Sequence, residues 1–195
     1  MDKTFFIGGI MNRTNLLTEI AVMISFAVVL EAVFTGLSAF FPFLALPYGG
    51  RVSLALLPIF YVVYKHGIRL GVMAGASYGL LNLMLDAQLW HWGSFFLDYL
   101  FAFGFIGFAY VGVLLFGKNI KGFIAVIVIG SFIRLFFHFL SGIILFGDYA
   151  GDYGFDNVFL YSIVYNSYYV IPSMFLILIV GLLLFERLKK IEFSR

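Results

Sequence analysis

Residues 134–150 read RLFFHFLSGIILFGDYA. An arginine and a histidine stand four apart, so both lie on one face of any helix formed here. Apolar residues surround them, and the run belongs to a longer apolar segment, 121–146. At 1.5 Å per residue that segment is long enough to cross the roughly 30 Å hydrocarbon layer of a bilayer. A cation and an imidazole are costly in lipid, so a spanning helix turns such groups toward a partner or a cavity.

The rest of the chain supports a membrane reading. Of 195 residues, 63% are hydrophobic and 11% charged, and the mean hydropathy is +1.06. A soluble domain is about half apolar and about a quarter charged. One small core cannot hide this excess, so the solvent is lipid. Cysteine is absent, which excludes disulfides and thiolate chemistry. A net charge of +2 is too small to point to nucleic acid. The opening MDKTFFIGGIMNRTN has neither the long apolar core nor the cleavage site of a signal peptide. The whole chain, 1–195, is therefore read as mature and as a single domain.

Six apolar segments qualify as spans: 16–41, 52–65, 67–89, 94–117, 121–146 and 159–185. The expected fold is an all-α membrane protein with six transmembrane helices. The second segment is short, and only Lys65-His66-Gly67 separates it from the third. Pro172 lies inside the sixth and predicts a kink. Basic residues are enriched on the cytoplasmic side. One set of segment ends holds ten: Lys3, Arg13, Lys65, Arg69, Lys118, Lys121, Arg187, Lys189, Lys190 and Arg195. The other set holds only Arg51, among Asp86, Asp148, Asp152 and Asp156. Both termini are thus expected inside. The outward loops are 42–51, 86–93 and 147–158, rich in Gly, Pro, Tyr, Trp and Asp. They read equally as ordinary turns with an interfacial aromatic belt or as the roof of a pocket.

No phosphate-binding GxxxxGK[ST] loop and no HExxH spacing occurs. His66, His91 and His138 lie in different segments, and no catalytic constellation or metal site is visible. The small-residue run GVMAGASYG (71–79) suits close helix packing. Away from the segment ends, four ionisable groups stand out within spans: Glu31, Asp98, Arg134 and His138. The fourth and fifth segments run in opposite directions, so Asp98 and His138 can meet at one depth near the outer surface. Tyr99, Tyr161, Tyr165 and Asn166 stand close in the pattern. Two uses fit Asp98: a buried ion pair with Arg134, or a ligand contact. His138 fits a hydrogen-bonded core residue as well as a site residue. Tyr161 and Asn166 can join helices or face a ligand, and Glu31 can cap a neighbour or snorkel. An acid beside aromatic faces attracts an organic cation, and Tyr, Asn and His add directed hydrogen bonds. A cationic, ring-bearing metabolite fits better than a bare ion or a sugar.

At these residues the chain resembles the thiamine-specific substrate-binding subunit, or S-component, of energy-coupling-factor (ECF) transporters. The resemblance rests on LLTEIAVMISFAVVLEAV (16–33), LPYGGRVSLALLPIFYVVYKHGIRLGVMAGASYGLL (46–81), FLDYLFAFGFIGFAY (96–110), RLFFHFLSGIILFGDYA (134–150) and YSIVYNSYYVIPS (161–173). It implies a six-helix subunit in the cell membrane of a prokaryote with a thiamine pocket near the outer face. It also implies a transmembrane coupling subunit and two cytoplasmic ATPases as partners, and no resident cofactor. The family's pocket residues fall on Asp98, Tyr99, Arg134, His138, Phe146, Tyr161 and Asn166. Phe146 takes the place of a stacking Trp found in some members. The first outward loop carries a Trp lid in some members; here it reads PYGG, which leaves Tyr48 as its possible replacement. A pocket tyrosine of some relatives falls at about Gln88. Ala21 and Ser25 match a small-xxx-small pair that packs on the coupling subunit. In this reading Arg134 orients or neutralises Asp98 rather than touching the cationic ring. Three other readings remain: the same architecture for a thiamine precursor or another vitamin, a carrier driven by an ion gradient, and an enzyme using Asp98 and His138 as acid and base.

Overall fold

The computed structural model describes residues 3–46, 50–86 and 89–188, with side chains from residue 13 and excluding that of Asp86. Tyr48 and Gln88 lie outside the described residues.

Among the described residues the main helical segments are six, with short 3₁₀ turns in two of the connections: α1 (Lys3–Phe40), α2 (Leu56–His66), α3 (Ile68–Asp86), α4 (Phe95–Phe116), α5 (Ile120–Ile144) and α6 (Val158–Leu188). Five are long and apolar enough to cross a membrane. The exception is α2. Its 11 residues rise only about 16 Å. Every residue from Leu56 to Tyr64 is buried, and α2 packs against all five other helices. It still leads from one end of the bundle to the other, so it takes the place of the second expected crossing, with protein rather than lipid covering it. Sheathed by protein, a short helix with irregular chain before it is compatible with membrane depth.

The joints are tight. A single residue, Gly67, links α2 to α3 at φ +89°, a backbone state that side chains resist. The turn between α4 and α5 ends on Asn119, whose Oδ1 accepts from the Lys121 and Gly122 amides at 2.9 and 3.2 Å and caps α5. The run 71–79 packs as its composition predicts: a Cβ on Gly75 would overlap the Phe103 carbonyl, and one on Gly79 the Tyr99 carbonyl. Close approach of α3 and α4 therefore depends on these glycines. Helix α6 continues through Pro172. Membrane helices tolerate proline; Pro172 removes the N–H that would bond the Tyr168 carbonyl, and beside it Ser173 Oγ donates to the Tyr169 carbonyl at 2.6 Å.

α4 is not uniformly α-helical. Phe95–Phe101 is a π-helix and Phe105–Tyr110 a 3₁₀-helix. Wide π turns are rare and concentrate at functional sites, and this one carries Asp98 and Tyr99. Chain direction places residues 41–46, 50–55, 89–94 and 145–157 at one end of the bundle. The other end carries Lys65, Arg69, Lys118 and Arg187.

Candidate ligand-binding site

A hollow opens among the helices at the end away from the basic residues. It offers about 170 Å³ to water centres, room for more than ten waters at about 10–15 Å³ each. All seven residues singled out in the sequence, Asp98, Tyr99, Arg134, His138, Phe146, Tyr161 and Asn166, line it.

Its polar wall is a connected chain. Arg134 and His138 share a face of α5, and Arg134 Nε donates to His138 Nε2 at 3.1 Å. A guanidinium has only donors, so that imidazole nitrogen accepts and the ring is neutral. The ring proton then sits on Nδ1 and is donated to Asp98 Oδ1 at 2.9 Å. Asp98 Oδ2 accepts from Ser141 Oγ at 2.6 Å and from Ser94 Oγ. The direct Asp98–Arg134 pair, one of the two uses the sequence left open for Asp98, is replaced by this relay, with the imidazole between the charges. Two rings flank the basic groups. The Arg134 guanidinium carbon lies 5.0 Å from the Phe103 ring centre and 5.5 Å from that of Tyr169, in cation–π range. The His138 ring meets Phe103 and Tyr169 edge-on at 6.3 and 5.8 Å.

Asn166 lines the hollow while joining helices. Its Nδ2 donates to the His138 carbonyl at 3.1 Å and the Ser162 carbonyl at 2.9 Å, and its Oδ1 accepts from the Tyr169 hydroxyl at 2.8 Å. Tyr161 sits in an aromatic group with Tyr153, Phe155 and Tyr165, at 5.5, 6.1 and 5.7 Å between centres. Phe146 lies just past the end of α5, 6.3 Å from Tyr149. Ala21 and Ser25 lie on the exposed face of α1, and Ser25 Oγ donates to the Ala21 carbonyl at 2.9 Å.

The family model for thiamine transporter proteins matches residues 17–192. This chain belongs to the thiamine transporter family. It is 35% identical over 182 residues to the thiamine transporter ThiT of Bacillus subtilis, covering 87% of this chain and 89% of that protein. With ThiT of Lacticaseibacillus paracasei the identity is 30% over 182 residues, covering 85% of each. A solved structure of ThiT from Listeria monocytogenes shares the fold with a TM-score of 0.73 at 23% identity, covering 90% of this chain and 96% of that one. As a thiamine transporter family member it is a multi-pass cell-membrane protein with a transport role rather than an enzymatic one.

The hollow of this family member also has a second polar wall, which the sequence reading missed. Glu31 of α1, buried within the apolar helix, pairs with Arg51 Nη1 at 3.2 Å. Its other oxygen accepts from Ser53 Oγ at 2.7 Å and from the Tyr78 hydroxyl at 3.3 Å. Arg51 Nη1 also donates to Thr35 Oγ1. The carboxylate was visible as an ionisable group in a span. Its partner read as a loop charge, twenty residues away. The remaining unforeseen lining residues, Tyr169, Tyr149, Trp90, Ser94 and Ser141 among them, carry no signal that separates them from the many aromatic and small residues of the chain.

Proposed function

We propose that this chain is the thiamine-binding subunit of an ECF-type uptake system and captures the vitamin from outside the cell. The carrying observation is the Arg134–His138–Asp98 relay on the wall of an aromatic hollow. Because a neutral imidazole stands between Asp98 and Arg134, the carboxylate keeps negative charge to offer a cationic ring. Thiamine has such a ring, joined to a flat aminopyrimidine that suits stacking on Phe146 and hydrogen bonding with Tyr161 and with Asn166 Oδ1, which keeps a lone pair beyond the one accepting from Tyr169, while His138 serves by orienting Asp98. Small-ligand sites combine apolar walls with a few placed polar groups in this way.

The excess of Lys and Arg at the opposite end supports an outward-facing mouth for the hollow. Energy for uptake in this scheme comes from partner subunits: a transmembrane coupling protein and two cytoplasmic ATPases. The exposed Ala21–Ser25 face of α1 lets another helix backbone approach closely and is the proposed contact with the coupling protein. Binding moves no substrate by itself in this scheme.

Isothermal titration of the purified chain tests the ligand. Thiamine should bind tightly and its isolated pyrimidine half much more weakly. Near-equal affinities would reassign the site to a thiamine precursor. Uptake of thiamine into vesicles holding this chain alone would replace the partner-driven scheme with a stand-alone carrier.

A further inference from the structure

We propose that Ser94 and Ser141 are specificity-determining residues. By filling one oxygen of Asp98 they leave the carboxylate a single open acceptor site, which takes a ring cation and turns away forked cations such as amidines and guanidines. The proposal rests on the thiamine reading above and adds what the same site rejects.

An ionised carboxylate only accepts hydrogen bonds, at about four sites, two on each oxygen. Oδ2 of Asp98 takes the Ser141 hydroxyl of α5 at 2.6 Å and the Ser94 hydroxyl of the turn before α4, which fills it. Oδ1 takes His138 Nδ1–H at 2.9 Å. The site that remains belongs to Oδ1, and the Asp98 side chain reaches the hollow with 17% of its surface exposed. The donors are themselves held. Ser141 and Ser94 are buried, the Ser94 amide is tied to the His91 carbonyl at 3.0 Å, and Arg134 fixes the imidazole from behind. The carboxylate therefore cannot turn to a new partner without giving up a bond to one of them.

Forked donors grip a carboxylate through two parallel N–H···O bonds, one to each oxygen. With Oδ2 filled, an amidinium or guanidinium reaches only Oδ1 and leaves an N–H without its acceptor, which is costly in a desolvated site. A ring cation with spread charge needs no second bond. Both serines line the hollow, so deleting their hydroxyls opens Oδ2 to whatever enters it.

The test uses the full chain in detergent and two probes: thiamine, and benzamidine as a flat aromatic cation with a forked donor. Thiamine is titrated directly and benzamidine by displacement of thiamine. The variants are Ser141→Ala, the pair Ser94→Ala with Ser141→Ala, and that pair combined with Asp98→Asn. The paired variant should bind benzamidine about tenfold more tightly than wild type, equivalent to about 1.4 kcal/mol, while its thiamine Kd stays within about threefold. Ser141→Ala alone opens one of the two sites and should gain about threefold, which keeps the test decisive if the paired variant does not fold. Adding Asp98→Asn should abolish the gain. A purely structural role for the serines would weaken both ligands together. An unchanged or raised benzamidine Kd, or no displacement by benzamidine from any of the proteins, would overturn the assignment. So would a gain that survives Asp98→Asn, because added space would then explain it. If the wild-type chain shows no heat with thiamine, the ligand reading fails and this proposal with it. Tight thiamine binding without a benzamidine gain removes this proposal alone.

Discussion

Replacing Asp98 with Asn removes one charge and alters little volume, so it isolates the electrostatic part of binding. The structure fixes how the amide would sit. His138 Nδ1 donates to Oδ1 at 2.9 Å, and its tautomer is held by Arg134 Nε at 3.1 Å. The amide oxygen must therefore face His138, because an amide N–H there would meet a donor. The amide nitrogen then faces Ser94 and Ser141, whose hydroxyls rotate to accept. All partners stay paired, so the fold survives. Three hydrogen bonds to a charged acceptor become neutral ones. Bonds to charged groups are worth about 1.5–3 kcal/mol against about 1 for neutral ones, so the melting temperature should fall modestly. The bound cation loses its buried counter-charge, a loss of about 2–5 kcal/mol. At 1.4 kcal/mol per tenfold, Kd should rise between about 30-fold and several thousand-fold. Isothermal titration with thiamine measures this, and a thermal melt checks folding. A Kd within about threefold of wild type in a folded Asp98→Asn protein would refute the claim that this carboxylate recognises the ligand.

Further outcomes are expected. Phe146→Ala should weaken thiamine binding by about 0.5–1.5 kcal/mol beyond the lost area, through ring stacking, as read by titration. Glu31→Gln removes the carboxylate that pairs with Arg51 in the wall of the hollow; both the melting temperature and cation affinity should drop, and an unchanged Kd would separate this wall from the ligand. Gly75→Ala puts a methyl against the Phe103 carbonyl, and parting α3 from α4 should cost about 1–3 kcal/mol, seen as a lower melting temperature. Ala21→Leu with Ser25→Leu, both on an exposed face, should leave thiamine binding intact and abolish uptake in cells containing the partner subunits.

Much of this architecture was legible in the chain because lipid imposes strong rules. Apolar length predicts α1, α3, α4, α5 and α6 to within a few residues of their described ends, apart from the N-terminal extension of α1 to Lys3. Costly charges predict the polar wall at Asp98 and His138. Hydrophobicity cannot separate burial in protein from burial in lipid, so the sequence did not show that α2 is short and covered by protein. Nothing in FFLDYLF marks a π-helix; the wide turn follows from tertiary packing rather than local propensity. The Glu31–Arg51 pair was half legible. A span carboxylate announces itself, but its partner lies across a loop whose path no pattern gives. The relay through His138 was also hidden: i, i+4 spacing puts Arg134 and His138 together without saying which of them reaches Asp98.

The encased helix α2 has a consequence for how the protein is made. Eleven residues cannot hold themselves in a bilayer during synthesis, and the single-residue joint at Gly67 leaves no slack for α2 to wait outside while α3 goes in. The two must enter as one hairpin, and the leading arm is secured only when the later helices close around it. Biogenesis should therefore have a late committing step, with chains truncated before α5 exposing α2 to quality-control proteolysis while α1 is already anchored.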